Sequence, residues 1–346
     1  MPKPLHLIPP VVAGVALAVS AVVSEFSDKP NPFANGADTF GHSMLPLPGV
    51  LVTIWFLVAA LGFLVSATAL TVRPRRHVRT ICITAVVIAG LLLDHSILMV
   101  LGYLPYAVVL AVTGNVNELE ILVSFSLMLQ ILVAAGCVGL LIGLHSSKRH
   151  RVEAPRDTQR EIQQATNRTR NYALIAIAAP LFYAASRILM AVEAPGFRHQ
   201  EFTDELTTAG LGLAGASIVG AVLTLGLFQQ WGERFPRWIP RIGGSSVPIN
   251  LAVFPALVVA ALIMAASRTI LLQIVTGESD AISEMTEVPL VLLPHLLWPV
   301  WSIALAIAAM SYRRRRLVQR GSVRPASVRP EAQAQRSPSA SPGRKG

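Results

Sequence analysis

Five ionisable residues stand inside stretches that otherwise read as oil. They are Asp94 and His95 in "GLLLDHSILMVLGY" (90–103), Arg187, Arg268 and His295. A carboxylate, two guanidiniums and two imidazoles can bind an anion, relay a proton or pair among themselves. Insertion scales charge about 2.5–3.5 kcal/mol for Arg or Asp at the centre of a membrane helix, so such residues face a bundle interior and take partners. Arg187 and Arg268 are the natural partners of Asp94. Two arginines against one aspartate leave a positive excess, which suits a carboxylate, a phosphate or a lipid head group. On one continuous helix Asp94 and His95 point about 100° apart, so they do not form a catalytic pair with each other.

The elements that position these residues follow from composition. Of 346 residues, 53% are hydrophobic and 14% charged, and the mean hydropathy is +0.56. A soluble domain carries about 25% charged residues. Several apolar runs exceed the roughly 18 residues that mark a membrane helix. The reading is an all-α polytopic bundle of about eight spans, near 5–23, 47–72, 80–103, 121–145, 171–192, 208–230, 249–275 and 289–312. The third continues into an apolar stretch, "LPYAVVLAV" (104–112), expected at the interface.

The connecting segments alternate in charge. "RPRRHVR" (73–79) is basic, 146–170 holds seven Lys/Arg against three acids, 231–244 three arginines against Glu233, and "RRRR" (313–316) follows the last span. The intervening loops are acidic, with Glu25, Asp28 and Asp38, then Glu118 and Glu120, then Glu193, Glu201, Asp204 and Glu205, then Glu278, Asp280, Glu284 and Glu287. Basic loops stay in the cytoplasm, so both termini are expected there. All five ionisable residues then fall in the outer half of the membrane, Asp94 about 14 Å from the outer end of its span. Residues 1–23 also have the form of a signal peptide, which would leave seven spans. Without a convincing cleavage site the retained span is the reading kept.

The net charge of +10 is mostly a tail. Residues 313–346 hold nine arginines and Lys345 against Glu331. That segment is expected to be disordered and basic, and Arg313, Arg314, Arg315 and Arg316 to adhere to anionic inner-leaflet lipids. The bilayer is the main partner, and nothing points to nucleic acid.

Other patterns are excluded or structural. Cys82 and Cys137 lie within spans, which leaves neither a disulfide framework nor a zinc site. "GLGLAG" (210–215) has no preceding strand and is no dinucleotide site. Gly212, Ala216 and Gly220 are instead expected to make a small-residue packing face. "DHS" (94–96) names the residue types of a triad without its geometry, and no cofactor motif is present. Pro180, Pro255, Pro294 and Pro299 kink their spans. Trp298 and Trp301 share a face, either lining the polar cavity or packing. "AASR" occurs at 184–187 and again at 265–268, which would fit parallel repeats of helical hairpins.

Residues 171–192, 227–244 and 292–316 resemble a family of uncharacterised actinobacterial multi-pass membrane proteins. The resemblance implies a bacterial plasma-membrane protein and carries over no site residue. Three functional classes stay open. One is a transporter or permease with an outward-facing site for an anionic small molecule, built from Asp94, His95, Arg187, Arg268 and His295. Another is a non-catalytic sensor or partner subunit. The third is an outer-leaflet enzyme with His95 or His295 as acid/base.

Overall fold

The computed structural model describes residues 5–27, 31–33, 47–72, 76–113, 124–146, 158–197, 204–276 and 289–322. Among them helix dominates, and the only β feature is an isolated bridge between Arg234 and Ser246. In chain order the helices are α1 (Ile8–Phe26), α2 (Gly49–Thr71), α3 (Arg76–Gly90), α4 (Ser96–Thr113), α5 (Phe125–Ser146), α6 (Thr158–Ala191), α7 (Asp204–Leu225), α8 (Ile249–Thr276), α9 (Pro289–Leu296) and α10 (Trp298–Ser322).

Six helical stretches are long and apolar enough to cross a membrane. They run through Leu5–Phe26, Gly49–Thr71, Phe125–Leu144, Gln159–Ala191, Ile249–Leu272 and Leu290–Arg320. His77–Gly90 and Gly210–Leu225 are shorter apolar helices. The outward faces are oily as well. Leu61 is 63% exposed and Leu223 62%. Apolar residues all round a helix need lipid on one side, and the chain is a multi-pass membrane protein.

Two cores organise the bundle. Helices α1, α2, α3 and α5 enclose Leu17, Phe56, Phe63, Leu92, Leu129 and Leu140. Helices α6, α8 and α10 enclose Tyr183, Ile263, Trp298, Trp301 and Tyr312. Van der Waals packing rather than water exclusion drives association inside a bilayer, so small residues mark the closest seams. A Cβ added at Gly136 of α5 would stand 2.9 Å from the Ala13 Cβ, and one at Gly139 2.6 Å from the His6 carbonyl. That seam packs α1 and the turn before it against the first core. By contrast, a Cβ at Gly220 would meet nothing within 4 Å. At Gly210 of α7 an added Cβ would be in ordinary contact with Arg187, 3.5 Å from its Cδ.

The expected boundaries need three corrections. Residues 80–103 are not one helix: α3 ends at Gly90 and α4 begins at Ser96. Helix α4 absorbs the stretch 104–112 and packs on α7, so the chain passes from one core to the other at this break. The last span is also divided, at Leu297 between α9 and α10. Pro299 has no N–H, and its ring collides with the carbonyl four residues back, that of His295.

The third correction concerns the tail. Residues 313–322 continue α10 instead of being disordered, and residues 323–346 lie outside the described residues. Tyr312, Arg315 and Arg316, at i, i+3 and i+4, share one helix face. That face holds the folded connection between α7 and α8. The Tyr312 hydroxyl donates to the Gly232 carbonyl (2.7 Å). Arg316 donates to the Tyr312 oxygen (2.9 Å) and to the Val247 carbonyl (3.2 Å). Arg315 donates to the Leu227 carbonyl (3.1 Å) and pairs with Glu233 (2.8 Å). Arg315 and Arg316 are thus buried structural residues, 4% and 6% exposed, and are not free for lipid.

Candidate polar site at two helix breaks

Gly90 costs about 1 kcal/mol relative to alanine in a helix interior, and Asp94 competes for backbone N–H groups. Its Oδ1 accepts from the Ser96 N–H at 2.8 Å, an Asx turn that opens α4. The His95 carbonyl accepts from Leu98. Asp94 itself is fully buried.

A break between apolar, buried helix ends must satisfy its own backbone. Here neighbouring helices supply the donors. Trp55 Nε1 of α2 donates to the Ile88 carbonyl (2.9 Å). The Cys137 thiol of α5 approaches the Val86 carbonyl (3.8 Å), a weak contact. Arg268 of α8 reaches across with Nη1 to the Leu91 carbonyl and Nη2 to the Leu93 carbonyl (2.8 Å). The Asp94 N–H donates to Gln130 Oε1 of α5 (3.2 Å). The Asp94 charge acts on both Arg268 and His95. The guanidinium is nevertheless bonded to carbonyls and not to the carboxylate, so the expected direct ion pair is replaced by a backbone clamp.

The second group lies at the α9–α10 break. Arg187 Nη2 stands 2.9 Å from His295 Nε2. Arginine only donates, so Nε2 accepts and the proton sits on Nδ1, which donates to the Val291 carbonyl at 3.1 Å. His295 is therefore neutral with both ring nitrogens occupied, which argues against its use as an acid/base. The Arg187 guanidinium stacks over Tyr183, 5.0 Å to the ring centroid. The His295 ring meets Tyr183 edge-on (5.4 Å) and lies 5.0 Å from Trp298. Trp301 packs in the second core.

The five expected residues thus gather as two groups: Asp94, His95 and Arg268 at one break, Arg187 and His295 at the other. The two arginines that end the repeated "AASR" phrase each serve a broken helix. Among the described residues eight buried side-chain N or O atoms lack a hydrogen-bond partner. Six belong to this region: Asp94 Oδ2, His95 Nδ1, Arg187 Nε, Ser267 Oγ, Arg268 Nε and Trp298 Nε1. Native interiors leave few such atoms, and a bilayer makes each more costly.

Gln130 and Trp55 are site residues that a search for ionisable groups misses. Gln130 was open to discovery, as a fully buried amide in an otherwise apolar run. Among the described residues no three His, Cys, Asp or Glu side chains gather as a metal site. Cys82 and Cys137 are buried free thiols.

Comparison with family models, with curated proteins and with solved structures yields no match. The resemblance of residues 171–192, 227–244 and 292–316 to actinobacterial membrane proteins draws no support from these comparisons.

Proposed function

We propose that the chain crosses a bacterial plasma membrane eight times with both termini in the cytoplasm. In this reading it works as a transporter or permease, binding an anionic small molecule or lipid head group at the two breaks, from the outer side. The single observation that carries the reading is the pair of discontinuous helices whose polar atoms are buried and incompletely satisfied. Discontinuous helices build the substrate sites of many transporters, near mid-membrane and between repeats.

Depth supports it. Helix α3 has 15 residues, about 22 Å, short of the roughly 30 Å hydrocarbon core. A crossing that starts at its basic end therefore contains the break. From Arg313 back to Trp298 along α10 is also about 22 Å. Two breaks at equal distance from basic, same-side ends belong to one layer of the outer half.

Thermal-shift titration of the purified protein against anionic metabolites tests the reading. A stabilising ligand is expected, with its shift lost in Asp94→Asn and in Arg268→Gln, each against its own baseline. A shift that both variants keep places the ligand elsewhere. The engagement of both arginines in internal bonds favours a second reading, a non-catalytic membrane component. In that case no anion shifts the melting point at this site.

A further inference from the structure

The connection between α7 and α8 folds back on itself. The Phe235 N–H donates to the Ser245 carbonyl, the Gly244 N–H to Phe235 and the Val247 N–H to Glu233, each at 2.9 Å. Gly243 tightens the tip: its N–H donates to the Ile239 carbonyl, and an added Cβ would stand 2.7 Å from the Arg237 carbonyl oxygen. Arg241 has φ 67°, a left-handed backbone uncommon outside glycine and asparagine. The whole is docked on α10 through Tyr312, Arg315 and Arg316. This folded tip presents Trp238, 80% exposed, and Ile242, 44% exposed. They alternate with Arg234, Arg237 and Arg241, all exposed. Among the described residues no side chain pairs with these three arginines. The only acid of the connection, Glu233, is already paired with Arg315.

We propose that this tip is a bilayer-surface anchor, with Trp238 and Ile242 seated at the head-group boundary and Arg234, Arg237 and Arg241 against anionic lipid. Both roots of the connection start from lipid-facing helix. Exposed Leu223 lies two residues before the end of α7, and exposed Leu251 two residues after the start of α8. The dock on α10 lies where its apolar run gives way to arginine at Arg313. The tip is thereby held near the end of the apolar layer. Tryptophan favours that level, its ring amphipathic, and arginine lays its stem along apolar surface while its head stays wet. Uncompensated basic residues close to a membrane are drawn to anionic lipids. A large exposed apolar group rimmed by charge marks an interaction surface, and the surface nearest to this one is the bilayer. The inference rests on the chain being a membrane protein, and not on the polar site at the breaks.

Fluorescence quenching provides the test. The full chain is reconstituted in phosphatidylcholine vesicles with and without phosphatidylglycerol. Tryptophan emission is quenched either by lipid brominated near the top of its acyl chains or by acrylamide in the water. The difference between the parent and Trp238→Phe isolates Trp238 among the five tryptophans. Its emission is expected to be lost to the brominated lipid and spared by acrylamide. Phosphatidylglycerol is expected to deepen the lipid quenching, and Arg237→Gln with Arg241→Asn to remove that gain. Asparagine keeps the left-handed backbone at 241, and the substituted side chains are exposed, so the fold is not at stake. A Trp238 signal quenched by acrylamide and untouched by brominated lipid overturns the proposal and leaves the tip to a soluble partner. So does indifference to phosphatidylglycerol, or a phosphatidylglycerol effect that the arginine variant retains.

Discussion

Arg268→Gln is expected to destabilise the detergent-solubilised protein by about 3 kcal/mol, the loss of two hydrogen bonds from a charged donor at about 1.5 kcal/mol each. The guanidinium clamps the carbonyls of Leu91 and Leu93, and hydrogen bonds to charged groups contribute about 1.5–3 kcal/mol each. Polar contacts between membrane helices tend toward the lower part of that range. Removal also takes a nearby positive charge from the buried Asp94 carboxylate. The two losses separate in a double-mutant cycle. Asp94→Asn introduced into Arg268→Gln is expected to restore part of the melting temperature, because it removes the uncompensated charge. Strictly additive effects would mean that the two side chains do not interact.

Gly232→Ala is expected to cost about 3 kcal/mol or more by a different route. A Cβ at Gly232 would stand 1.7 Å from the Gly226 carbonyl oxygen, an overlap with backbone that no rotamer change relieves. The 226–248 connection would have to move. The Gly232 carbonyl is the acceptor for Tyr312 and a longer contact of Arg316 at 3.4 Å, so movement unpairs two buried side chains together. At roughly 2 °C per kcal/mol for a chain of this size, the midpoint falls by about 6 °C. Serine at the same position should do at least as much. An unchanged midpoint would show that this connection is not docked on α10. Anion binding at the breaks should survive, since the substitution lies at the opposite end of the helices.

Hydropathy alone was enough to read the all-helical class and the apolar helices, because a bilayer requires long uninterrupted runs. It concealed the break after Gly90. Leu91, Leu92 and Leu93 keep the run apolar while the backbone turns, and the only local signs are a glycine followed four residues later by Asp-His-Ser. A continuous helix would make Asp94 a side chain in search of a cation, whereas it opens a new helix. The second break was partly legible in Pro294 and Pro299. Choosing residues by charge selects Asp94, His95, Arg187, Arg268 and His295, and passes over Gln130 because an amide does not titrate. The "RRRR" run shows the opposite failure. Its charge was plain, but Arg315 and Arg316 are buried by contacts with residues 69 to 88 positions earlier, and no local pattern reports those.

Labelling of a single cysteine at the first break tests the central claim most directly. His95→Cys is made with Cys82→Ala and Cys137→Ala, and intact cells are exposed to a membrane-impermeant thiol reagent. Modification from the outside is expected, slowed by any anion that stabilises the protein. Modification only after permeabilisation, or none, would contradict a polar site entered from the outer face.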